Sequence, residues 1–198
     1  MQRFLLFFLI LFFFPIPVFA ENIIEPEEIP ESNNAYSLII CYSRSSADDY
    51  IDSLDPDTYR SLVRQLLSEN DEFILARLVW GEDRENPRYM QAAIIWCVFN
   101  RMEVSGKSIS QIVTTSQFPG YLKSNPIKEW AVNLVRDVTI RYMLEQIGYK
   151  DVGRVLPKNY LYFEQPAGSR FHVFKTHINI DDPDNKIWNW ALPSPYPV

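Results

Sequence analysis

Glu82 closes an almost wholly apolar run, Leu75-Ala76-Arg77-Leu78-Val79-Trp80-Gly81-Glu82, and is followed by Asp83-Arg84-Glu85-Asn86-Pro87. In a helix it lies one turn beyond Leu78 and Val79 and two turns beyond Leu75. A face that takes those side chains into a core carries Glu82 to the edge of that core. A carboxylate there loses water around its charged form, so its pKa rises. Such a carboxyl can serve as a general acid near neutral pH. Spacing alone favours an ordinary glutamate near a helix C-terminus, so the rest of the chain has to decide. Asp83 and Glu85 are close by, but neither helical direction aims them at the same spot.

Other residues could build a saccharide groove. Sugar CH faces stack on aromatic rings, and amides bond hydroxyl or acetamido groups. Gln117, Phe118, Tyr121, Tyr160, Tyr162 and Phe163 have those chemistries, although each alone also fits core or surface packing. Glycoside cleavage ordinarily uses two carboxylates. A lytic transglycosylase needs only one, because the 6-hydroxyl of the substrate displaces the leaving group. The two histidines, His172 and His177, together with Asp181 or Asp182, form a weak zinc pattern, and no Cys-x-x-Cys accompanies them. No metal and no cofactor are expected. Cys97 falls in an apolar helical pattern and reads as a core thiol rather than a nucleophile. A bridge from Cys97 to Cys41 is left open.

The elements that position these residues are mainly helical. Asp55 or Asp57 can cap a helix through Leu62, Val63, Leu66 and Leu67, with Pro56 in its first turn. Asn70 or Asp71 opens the helix that carries Glu82, expected over 72–81. Pro87 suits the first position of the next, where Met90, Ala93, Ile94, Cys97, Val98 and Arg101 recur at spacings of three and four. Ser105-Gly106-Lys107 ends it, and Ser108 caps a short turn. A loop over 115–126 precedes a long helix through Trp130, Leu134, Val138 and Tyr142, ending near Gly148. The runs Tyr160–Phe163 and Arg170–Phe174, separated by Pro166-Ala167-Gly168, predict a hairpin with a longer loop. The fold class expected is therefore α+β, mainly α with a small β-hairpin.

Composition limits the partners. The chain has 198 residues, 47% of them hydrophobic and 15% aromatic, enough for one substantial core plus flanking segments. Its formal charge of −6 gives no support for nucleic-acid binding. Much of that charge comes from Glu21, Glu25, Glu27, Glu28 and Glu31, in a proline-containing linker expected over 21–47. Before it, Arg3, the apolar run Phe4–Phe14 and the small residues of Val18-Phe19-Ala20 read as an export signal over 1–20, cleaved before Glu21. The mature protein is then expected outside the cytoplasmic membrane with no anchor in it. The patch Tyr36–Tyr42 fits either a short strand or a piece of tail. The domain itself is expected over 48–198.

The run Leu75–Arg84, followed by Gln91-Ala92-Ala93 and Val98-Phe99-Asn100-Arg101, resembles the signature of the spore cortex-lytic cell wall hydrolases. Gln117-Phe118, the Tyr160–Phe163 run and Phe171-His172-Val173-Phe174 follow in the order of that family. The resemblance spans about residues 70–177 and is most specific around Glu82. It implies a lysozyme-like catalytic domain acting on the glycan strands of peptidoglycan, as lytic transglycosylase or muramidase, with Glu82 as the catalytic glutamate. It also implies substrate contacts from Gln117, Phe118, Tyr121, Tyr160, Tyr162 and His172. Where the family reads Glu-Ala-Arg-Gly-Glu, this chain has Glu82-Asp83-Arg84-Glu85-Asn86, so the glycine is lost and the second acid is replaced or shifted. That departure leaves open a weakened relative that binds glycan in wall or spore assembly without cutting it. The linker is too short for a separate wall-binding module, so recruitment by a cell-wall or spore accessory protein is a second open possibility. An amidase or peptidase acting on stem peptides would need the weak His172/His177 metal.

Overall fold

Ser45 and Asp48 form a reciprocal cap at the start of the first helix of the computed structural model, which describes residues 45–115, 117–179, 181–188 and 194–196. The expected export segment, the linker before Ser45, Cys41 and the 36–42 patch lie outside the described residues, as do Ser116, Trp190, Pro193 and Pro197. The helices are α1 (Ser46–Ser53), α2 (Pro56–Leu66), α3 (Glu69–Asp83), α4 (Arg88–Ser105), α5 (Ile109–Val113) and α6 (Glu129–Gln146). Two strands, β1 (Tyr162–Glu164) and β2 (Val173–Lys175), pair antiparallel with Phe163 opposite Phe174. The described part is thus mainly α with one small hairpin, the expected class. The described residues begin at Ser45, ahead of the boundary expected at 48. Ala47 is fully buried, and Arg141 ties Asp48 to the domain across 2.5 Å.

Local signals account for most helix ends. Asp55 caps α2 by accepting from the Asp57 and Thr58 amides, with Pro56 in the first turn. Ser68, rather than Asn70 or Asp71, caps α3, because its hydroxyl reaches the Asp71 amide. Gly106 ends α4 with φ of 65°, a left-handed conformation that a side chain would strain. Ser108 and Gln111 form a capping box on α5.

The helix α4 is the centre of the domain. Every residue from Tyr89 to Asn100 is buried, so the three-and-four spacing of its apolar positions marks no exposed stripe. α3, α5 and α6 pack around it, and α1 and α2 lie on α6. Trp96 and Phe99 of α4 meet Tyr142 of α6 at ring distances of 6.3 and 4.7 Å. The hairpin docks on α4 through β1. Asn100 fixes that approach, its side-chain amide donating to the carbonyls of Pro157 and Tyr160, both at 2.9 Å. Tyr160 is thereby turned into the core ahead of β1, so the strands are shorter than the runs Tyr160–Phe163 and Arg170–Phe174. No helix among the described residues is long and apolar enough to cross a membrane.

Candidate active site

Glu82 stands in the last turn of α3, one turn beyond the fully buried Leu78 and Val79, and is itself half-buried. The loop after α5 closes over it. The Gly120 amide donates to Glu82 Oε1 at 2.8 Å. This approach requires glycine on both sides. A Cβ on Gly81 would lie 1.8 Å from the Gly120 carbonyl oxygen, and one on Gly120 would lie 2.7 Å from the Gly81 carbonyl. Asn125 fastens the loop, its amide donating to the carbonyls of Arg77 and Gly120 at 3.1 and 2.8 Å. Arg77 answers by donating to the Asn125 carbonyl at 3.2 Å.

Burial pushes the Glu82 carboxyl above its ordinary pKa. The Gly120 amide and nearby His172 oppose that rise, and the Asp83 charge adds to it, but loss of water prevails. Glu82 therefore holds a proton further toward neutrality than a surface glutamate.

Behind Glu82 lies a buried polar layer. His172, 5% exposed, brings Nε2 to 3.0 Å from the Glu82 backbone carbonyl and stands edge-on to Phe163 with ring centres 5.1 Å apart. Asp83, 4% exposed, has Oδ1 3.8 Å from His172 Nε2. Burial raises the Asp83 carboxyl to about 6 even though Asn86 donates a hydrogen bond to it. Asn86 also donates to the Arg170 carbonyl at 2.7 Å, tying the turn after α3 to the hairpin. Gln91 of α4 completes the fastening by donating to the carbonyls of Asp83 and Asn86 at 2.7 and 2.9 Å. The two neighbouring acids thus point to different places, as helical geometry required, yet Asp83 still acts on Glu82 through its charge.

The aromatic candidates separate into three settings. Gln117, Phe118 and Tyr162 come together in a groove of about 300 Å3, with Phe163, Arg101 and Lys175 also in its walls. Glu82 is not among the groove's lining residues, and the link to it is indirect: Phe118 is two residues before Gly120, and Phe163 touches both Phe118 and His172. Tyr121 lines a different depression of about 530 Å3, between α3 and α5, that does not include Glu82. Tyr160 is core, packed edge-on against Trp188 at 5.4 Å. His172 is buried beneath Glu82 and supports it rather than lining the groove.

The competing chemistries fare differently. Cys97 is buried and free, and burial pushes its thiol up to about 12, far from a reactive thiolate. His177 sits 3.3 Å from Asp182, whereas His172 faces Glu82 and Asp83. Among the described residues no group of three histidine, cysteine or acidic side chains could hold a metal ion. Sequence reading missed the Gly81–Gly120 contact, the Arg77–Asn125 clasp and the burial of Asp83. An isolated glycine inside the apolar α3 pattern was the available sign of a close backbone approach. No protein-family model matches the chain, nor does any curated protein or solved structure.

Proposed function

We propose that the protein cleaves peptidoglycan glycan strands at the β-1,4 bond between N-acetylmuramic acid and N-acetylglucosamine, as a lytic transglycosylase with Glu82 as its acid and base. The observation that carries this reading is a half-buried carboxyl with a raised pKa, held by the backbone amide of a loop whose Phe118 lines an aromatic groove. As acid, Glu82 protonates the bridging oxygen and the C1–O bond breaks. As base, the same carboxylate takes the proton of the 6-hydroxyl, whose oxygen bonds to C1 and leaves an anhydro-muramoyl end. One carboxyl then suffices, in keeping with an Asp83 that lies buried behind Glu82. A helical core with a short hairpin beside the end of the acid-bearing helix suits the lysozyme-like fold that the resemblance implies. Export through residues 1–20 would bring the enzyme to its substrate in the wall or spore cortex.

The test is Glu82→Gln against purified sacculi, with an expected loss of clearing of about 10²–10⁴-fold. Unchanged clearing would refute the mechanism. Fragment masses separate anhydro ends from the reducing ends that a muramidase leaves. A second reading, a relative that binds glycan without cutting it, is favoured by the Gly120 amide, because a donor on Glu82 stabilises the ionised form and opposes its use as an acid. Retention on intact sacculi without release of soluble sugars would decide for that reading.

A further inference from the structure

Arg101, four residues before the end of α4, lines the groove with Phe118 and Tyr162. Its guanidinium carbon is 5.0 Å from the centre of the Phe118 ring and 5.3 Å from that of Tyr162, so two aromatic walls hold it. Arg136 holds Glu72, Arg141 holds Asp48 and Asp137, and Arg154 holds Glu145, whereas Arg77 and Arg88 donate to the Asn125 carbonyl and the Gln91 side-chain oxygen. Among the described residues Arg101 has no carboxylate partner. The other two charges of the groove, Lys175 and Glu164, are paired with each other across the hairpin. Among the described residues this leaves one positive charge of the groove without a carboxylate. A guanidinium fixed between rings presents its donor fork already oriented, the geometry suited to a carboxylate.

The geometry points to the Arg101 groove as a binding subsite for a carboxylate carried on a saccharide, seated against Phe118 and Tyr162. This rests on the proposed glycan substrate and adds that the strand is recognised through its acidic substituent. On peptidoglycan that carboxylate has two sources: the lactyl group of an N-acetylmuramic acid without its peptide, or a stem peptide whose link to the lactyl group has neutralised it. In either case Arg101 offers two parallel N–H donors to the two carboxylate oxygens, and Gln117 at the rim offers an amide to the sugar. No bond is made or broken at this subsite.

Calorimetric titration of the purified Glu82→Gln chain at low salt tests it without any cleavage. The ligands are N-acetylmuramic acid, its methyl ester, and muramyl dipeptide, whose carboxylate sits on the peptide. At least one of the two acids should bind tenfold or more tighter than the ester, and which one does identifies the source. Arg101→Gln should abolish that preference while weak binding of the ester persists. If Arg101→Gln does not fold, Arg101→Lys, which keeps the charge and loses the fork, should reduce the preference several-fold. Equal binding of acids and ester, no binding of any of them, or a preference that survives the substitution would overturn the inference. Clearing that survives Glu82→Gln would sink the cutting mechanism and leave this binding result standing, so the two failures are distinguishable.

Discussion

Glu82 and Asp83 are adjacent carboxyls whose surroundings assign them different tasks. Burial raises Glu82, and the Asp83 charge behind it raises it further. The acid limb of catalysis should therefore persist above the ordinary glutamate range. Asp83→Asn removes the neighbouring charge, so the alkaline limb of kcat/KM should move to lower pH, measurable in a pH–rate profile on purified glycan. Asp83 also couples to stability. Its carboxyl rises from 3.8 to about 6 on folding, so the folded state keeps the proton longer than the unfolded chain. Stability from this group is fully present below about pH 4, falls as pH rises toward 6, and is then flat. The difference is on the order of 2 to 3 kcal/mol. Urea denaturation across pH 4–7 should show this slope in the wild type and a shallower one in Asp83→Asn, where the raised Glu82 carboxyl remains.

At the scale of elements, the site depends on the end of α3, the loop after α5 and the hairpin meeting at one place. Gly81 and Gly120 permit the first contact, and a Cβ at Gly81 would collide with backbone, which cannot swing aside as a side chain could. Gly81→Ala should displace the loop, cost about 1–3 kcal/mol in urea unfolding and lower activity by at least tenfold, since the Glu82 carboxyl loses the contact that fixes its orientation. The helices themselves were legible in the chain, because Asp55 with Pro56, Ser108 with Gln111, and Gly106 are local signals. The start of α3 was misplaced by a turn or less, for Ser68, Asn70 and Asp71 are all good caps and only the fold selects among them. The meeting of the loop with Glu82 was not legible, because it joins residues 38 apart through a backbone amide that any residue type carries.

Across the whole molecule, buried ion pairs bind the outer helices to the core. Glu72, fully buried at the start of α3, lies 2.6 Å from Arg136 of α6 and 3.2 Å from Arg64 of α2. Arg136→Ala would leave that carboxylate to Arg64 alone and should cost about 3 kcal/mol by urea denaturation. Five residues further along α6, Arg141 gathers Asp48, Asp137 and the Val152 carbonyl, and the Tyr196 hydroxyl donates to Asp137 at 2.5 Å. The chain on both sides of the helical core is held by one guanidinium. Tyr196→Phe removes only the hydroxyl and should cost about 1–2 kcal/mol, read as a lower melting temperature.

The sequence by itself determined the helical class, most helix ends, the hairpin, the buried thiol of Cys97 and the position of Glu82 at the rim of an apolar face. Those are consequences of period, capping chemistry and turn residues, which act within a few positions of the chain. Tertiary structure alone decided which aromatics share a groove. Tyr160, Tyr162 and Phe163 are neighbours in sequence, yet Tyr160 is drawn inward by Asn100 and Trp188 while Tyr162 faces Arg101. It also decided that Asp83 is buried, that His172 lies beneath Glu82, and that Arg101 has no acid partner among the described residues. Each outcome depends on what a distant segment brings to the residue, and a side chain's water, partner and pKa are set there rather than by its neighbours in the chain.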